Sequence, residues 1–100
     1  MSRFFLTRDA SEDLRDIVDF IRKDSPDAAR RVSQKLKEEM RNLARMPGMG
    51  HLRRDLASEP VLFWPVYSYL IIYRPDTKPL EIVRVLRGTR DVQRLLEDRS

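Results

Sequence analysis

Apolar and polar residues follow two different rhythms along this chain, and the change falls near its middle. Ala10, Leu14, Ile17, Val18 and Ile21 recur at helical spacing, which predicts an amphipathic helix with Asp9, Glu12 and Asp13 near its positive N-terminal end. Asp24-Ser25-Pro26 closes that helix and opens a second one, because Ser25 is a good N-cap and Pro26 loses nothing at the first helical position. Ala29, Val32, Leu36, Met40 and Leu43 carry the second apolar stripe. So short a connection predicts an antiparallel helical hairpin. Pro47-Gly48-Met49-Gly50 then stops the helix.

Past that turn the apolar residues come in short runs. Val61 to Val66, Tyr69 to Arg74 and Leu80 to Leu86 are rich in β-branched and aromatic residues, and the gaps between them have the length of turns. They predict consecutive strands of one antiparallel sheet, with Pro75-Asp76-Thr77-Lys78-Pro79 as a hairpin loop and Pro65 tolerable only near a bulge or strand end. Arg3 to Thr7 is a short first strand that must pair downstream, and His51 to Leu56 reads as either an edge strand or an extended loop. Asp91 to Glu97 predicts a brief terminal helix. The expected fold is α+β: an N-terminal strand and an antiparallel helical hairpin packed on a small antiparallel sheet, with a short C-terminal helix, in a single domain over 1–100.

Composition removes whole classes of chemistry. The chain has no cysteine and one histidine, so it has no disulfide framework or thiolate metal site, and most zinc and histidine-based catalysis is excluded. No metal or cofactor is expected. Charged residues are scattered through the first twenty positions and no apolar run elsewhere is long enough to cross a membrane, which argues against a signal peptide or a membrane span and fits a cytosolic protein.

Net charge decides little: 20 basic against 16 acidic side chains leave +4. Arginine makes up 16 of the 20 basic residues, and it suits bidentate pairing with carboxylate or phosphate. Asp9 to Asp24 carries net −3 and Pro26 to Met46 net +3, a complementarity that would favour the antiparallel helix pair or simply keep both faces solvated.

The candidate chemistry collects where the last strand stops, at Arg84, Arg87, Arg90 and Arg94, with Tyr73 on the preceding strand. Arg84 lies inside an apolar strand, where it is either a functional cation or half of a buried ion pair with Asp13 or Asp16. Gly88 lets the chain turn sharply between Arg87 and Arg90. Phe63, Trp64, Tyr67, Tyr69 and Tyr73 offer either core packing or a stacking surface. His51, in a turn region far along the chain from the arginines, is read as structural.

These elements together resemble the ParE/RelE superfamily of bacterial type II toxins. The resemblance rests on Asp13-Leu14 and Ile17 in the first helix, the Pro-Gly-x-Gly turn, Phe63-x-Pro65-Val66, Tyr69 to Arg74, and Ile82 to Asp91. The last segment is similar to the ParE pattern in which the final strand ends Arg-Val-Leu-His-Gly-x-Arg-Asp. Two residues bear on the branch. Leu70 stands where RelE-like messenger-RNA nucleases commonly carry a basic residue, and Arg87 replaces the histidine of the ParE pattern, so no proton can be exchanged there at neutral pH.

The resemblance implies a plasmid-stabilisation or stress-response toxin of the ParE branch that inhibits DNA gyrase without catalytic residues of its own. It also implies a cognate acidic antitoxin, ParD-like or other, that wraps the hairpin and sheet in a hetero-oligomer and covers Arg84, Arg87, Arg90, Arg94 and Tyr73, with the sheet face away from the hairpin as the binding face. The alternatives are a ribosome-dependent mRNA endonuclease using Arg84, Arg87 and Arg90 around a phosphate, and an inactive protein that only binds antitoxin.

Overall fold

The computed structural model describes residues 3–53, 55 and 60–88. Strand β1 (Phe4–Leu6) leads into helices α1 (Arg8–Arg22) and α2 (Pro26–Arg45), a single 3₁₀ turn (Pro47–Met49), and strands β2 (Leu62–Val66), β3 (Tyr69–Arg74) and β4 (Leu80–Arg87). The sheet order is β1-β4-β3-β2. The last three strands form the expected antiparallel meander, whereas β1 lies parallel to β4, so the sheet is mixed rather than antiparallel throughout. Parallel neighbours need a long crossover. The helical hairpin and the first two strands of the meander supply it.

The helix boundaries follow from local chemistry. Ser25 caps α2 by accepting a hydrogen bond from the Ala28 amide (3.1 Å), with Pro26 in the first turn. Thr7 caps α1 by accepting from the Ala10 amide (3.0 Å), and its hydroxyl also donates to the Val83 carbonyl (2.8 Å). One side chain thereby fixes where α1 begins relative to β4.

The hairpin packs on one sheet face. Ala10 and Leu14 of α1 and Leu36, Met40 and Leu43 of α2 are buried with Val66, Ile71, Tyr73, Leu80, Ile82 and Val85, while Ile17, Val18 and Val32 are half-buried against them. The charges of the two helices do not meet across the seam. Among the described residues the helix ion pairs are Arg22–Asp19, Arg30–Asp27 and Lys35–Glu39, each within one helix. An apolar stripe faces the seam, so the charged positions turn to solvent.

On the other face Val61, Phe63, Leu70, Ile72, Val83 and Leu86 form a second buried cluster. That face is therefore not an open platform at these six positions, contrary to its expected role. A bulge makes this two-sided burial possible: Ile72 opposes Arg84 but Tyr73 opposes Ile82, leaving Val83 as the extra residue. Ile82 and Val85 then join the hairpin-side core, while Val83 and Leu86 join the far side.

β2 is an outer strand. His51 and Phe63 exchange both backbone hydrogen bonds at 2.8 Å, so Phe63 points its amide away from β3. Residues two apart in a strand share that orientation, so the donor missing at Pro65 falls on the outer edge, where no ladder bond is lost. Among the described residues of the His51 to Leu56 stretch, the β pairing is this single bridge at His51. The predicted helix at 91–97 lies outside the described residues.

Candidate functional site

The candidate site is built where β4 outlasts β1. β1 pairs only as far as Ile82, and beyond it the outer edge of β4 would present unpaired backbone groups. Thr7 takes the Val83 carbonyl, and Asp13 takes the Val85 amide at 3.0 Å. The same Asp13 carboxylate accepts from Arg84 Nε (2.7 Å) and Nη2 (2.9 Å), a bidentate pair in which both side chains are largely buried. The hydrogen bond to Asp13 raises the Arg84 pKa above its already high value; burial opposes it, and the charges of Asp13, Asp9 and Glu12 reinforce it. Arg84 is thus a permanent cation whose lone-pair partner is already in place.

Arg87 differs. It is exposed at the end of β4, with its guanidinium carbon 5.9 Å from the centre of the Phe20 ring, and Phe20 itself is 60% exposed. A cation lying on an exposed aromatic face is worth about 0.5–1 kcal/mol and leaves the outward guanidinium N–H groups available. Gly88 follows with φ of +72°, the left-handed conformation that only glycine adopts cheaply, and its amide donates to the Ser68 carbonyl at 3.1 Å. Sequence reasoning missed Phe20. Its signal was present, since it is the large apolar residue of α1 that falls off the stripe of Ala10, Leu14, Ile17, Val18 and Ile21.

Tyr73 does not join the arginines. Its side chain is wholly buried, and it lies four residues along β3 from Tyr69, the residue opposite Arg87, a separation of about 13 Å. Its hydroxyl donates to the Pro47 carbonyl (2.6 Å) and accepts from the Gly50 amide (2.8 Å). Burial raises its pKa, with the Gly50 bond acting against that rise, so it stays neutral. Tyr73 in this position ties the turn after α2 to the sheet. The bond also explains Gly50, where an added Cβ would sit 2.8 Å from Tyr73 Cε1 and closer still to its oxygen. Arg90 and Arg94 lie outside the described residues.

Few groups here could exchange protons near neutral pH. Leu70 is 8% exposed within the far-side cluster and lines a groove of about 370 Å³ together with His51, Tyr67 and Gly88. His51 stacks on Trp64 at 5.9 Å between ring centres, and the Trp64 indole donates to Glu39 (3.0 Å). Among the described residues no group of three or more histidine, aspartate or glutamate side chains could hold a metal ion. Nor is any of their helices long and apolar enough to cross a membrane. Of the aromatics considered for stacking, Phe63 and Tyr73 are buried, Trp64 and Tyr69 are half-buried against the hairpin-side core, and Tyr67 stands out at 68% exposed.

Residues 4–92 match the family model described as the ParE toxin of the type II toxin-antitoxin system, parDE. No curated protein matches significantly. Among solved structures the fold is similar to a chain of the chromosomal ParDE TA system from P. aeruginosa, with a TM-score of 0.70 and 24% identity, covering 88% of this chain and 97% of that one.

Proposed function

Because the chain belongs to the ParE toxin family of type II toxin-antitoxin systems, we propose that it inhibits DNA gyrase by binding and that a cognate acidic antitoxin neutralises it. One observation carries the choice of binding over RNA cleavage. Leu70, at the position where the nuclease branch of the superfamily commonly has a basic residue, is an apolar side chain packed into a buried cluster. A phosphate-cleaving site needs groups that activate the 2′-hydroxyl, hold the phosphate and protonate the leaving oxygen. Of the candidate arginines among the described residues, Arg84 is committed to Asp13, and neither it nor Arg87 can release a proton at neutral pH.

The working surface in this reading is the end of β4, with Arg87 and Phe20 as its described members, and Arg90 and Arg94, which follow in the sequence, are proposed to act with them. Arg84 holds the strand in place behind them. An acidic antitoxin segment that orders on binding would satisfy the Arg87 guanidinium with carboxylates and cover the Phe20 ring with an apolar side chain. Masking this surface would then be the means of inhibition.

The test uses the purified chain in two assays, negative supercoiling by gyrase and mRNA cleavage in translating ribosomes. Loss of supercoiling with intact mRNA is the expected result. Codon-specific cleavage with unaffected gyrase would overturn the reading.

A further inference from the structure

We propose that the outward face of α2 is a second working surface, a docking site for the phosphate backbone of double-stranded DNA. The inference does not rest on the gyrase reading, because it starts from a different face of the molecule.

Lys37, Arg30, Arg41, Arg45 and Arg31 are all exposed. At about 100° per residue they fall within roughly 120° of the helix circumference, and Arg30 to Arg45 spans about 22 Å of its length. Two carboxylates share this arc. Asp27 lies 3.9 Å from Arg30, and Glu38 sits beside Arg41 one turn on. Among the described residues Arg31, Lys37 and Arg41 make no ion pair. The band continues past the helix end, where Arg3 and Lys78 line a cavity of about 450 Å³ together with Ala44 and Pro47. The exposed face of α1 is more nearly balanced, with Asp9, Glu12, Asp16 and Asp19 set among exposed Arg8, Arg15 and Arg22. A polyanion would therefore be drawn to the α2 side of the hairpin more strongly than to the α1 side.

A protein partner is the weaker fit for this surface. Protein interfaces are anchored by buried aromatic and aliphatic side chains, yet the exposed large hydrophobic residues of the described chain, Phe5, Phe20, Met46, Leu52 and Tyr67, all lie outside the Arg30–Arg45 stretch. A row of cations dominated by arginine, without apolar anchors, suits phosphates, which need charge and hydrogen-bond donors alone. Such binding would be independent of base sequence and would weaken steeply with salt through counterion release.

Fluorescence anisotropy of the full chain against a labelled DNA duplex two helical turns long, titrated between about 50 and 200 mM salt, tests the proposal. Arg31→Gln/Lys37→Gln/Arg41→Gln should bind at least about tenfold more weakly, with a log–log salt slope shallower by roughly 2–3. Arg8→Gln/Arg15→Gln/Lys23→Gln on α1 removes the same charge and should lose far less, and Arg87→Ala should bind as the wild type does. Melting curves of each variant check the fold, and these exposed substitutions should leave the melting temperature within a few degrees of the wild type. Equal loss in the two triple variants, no duplex binding at the lowest salt, or tighter binding of a poly-glutamate peptide than of the duplex would each overturn the assignment.

Discussion

At the scale of single residues, Tyr73 and Tyr67 illustrate opposite ways of using an aromatic side chain. Tyr73 spends its hydroxyl on two backbone groups of the turn after α2. Tyr73→Phe orphans the Gly50 amide and the Pro47 carbonyl and should cost about 1–3 kcal/mol in urea unfolding. The pH dependence has a definite sign. A phenol whose folded pKa is raised contributes stability that is complete below its unfolded value of 10.0 and is lost as pH rises through the folded one. The wild-type melting temperature should therefore fall above about pH 10 by more than that of the phenylalanine variant. Tyr67 occupies the two-residue β2–β3 turn with φ of +55°, a conformation that costs a bulky residue about 1 kcal/mol or more, and it is 68% exposed. Tyr67→Gly should raise the melting temperature by a few degrees, about what 1 kcal/mol produces in a domain of this size. No gain would mean that packing of the ring outweighs the backbone strain.

At the scale of elements, the helical hairpin holds the sheet and carries most of the larger core. Leu36 is fully buried between α2 and the strands, and Leu14 is nearly so on α1. Truncating either to alanine leaves a cavity and should cost about 2–5 kcal/mol, measured by denaturant unfolding, whereas exposed Lys37→Ala should change little. The α1–β4 contact has its own mechanism. Where β1 stops, Thr7 and Asp13 replace a missing neighbour strand by satisfying the Val83 carbonyl and the Val85 amide. An Arg84–Asp13 pair this well enclosed is costly to break from one side, because the surviving charge is stranded. Its role is to fix the register of α1 on β4, which in turn sets Phe20 beneath Arg87.

At the scale of the whole molecule, cations are in excess in two places. One is the outward face of α2, and the other is the end of β4, where Arg87 is seated on an exposed ring. If the antitoxin neutralises the end of β4, Arg87→Ala should weaken its binding by roughly 1.5–3 kcal/mol in calorimetry, the scale of a charge-assisted hydrogen bond. The loss should shrink as salt rises. Arg90→Ala should behave alike. Unchanged affinity and toxicity for both Arg87→Ala and Arg90→Ala would remove this end of the sheet as the site.

What the sequence determined by itself is what local periodicity and local chemistry control. The strands begin and end within a residue of the apolar runs, because β-branched alternation and turn residues act over a few positions. Ser25-Pro26 marks the start of α2 for the same reason. Contacts between distant segments were decided only by the tertiary structure. The parallel pairing of β1 and the meeting of Thr7 and Asp13 with β4 join positions more than seventy residues apart, and the extra residue at Val83 depends on how β4 registers against β3. No periodicity encodes them. The alternatives that sequence left open for Arg84 were settled in the same way: Asp13 and Asp16 are both acidic residues of one helix, and only the packing of α1 on the bulged strand aims Asp13 at the guanidinium. Tyr73 moved from candidate surface to core because the turn after α2 folds back over it, bringing two backbone groups within reach of its hydroxyl.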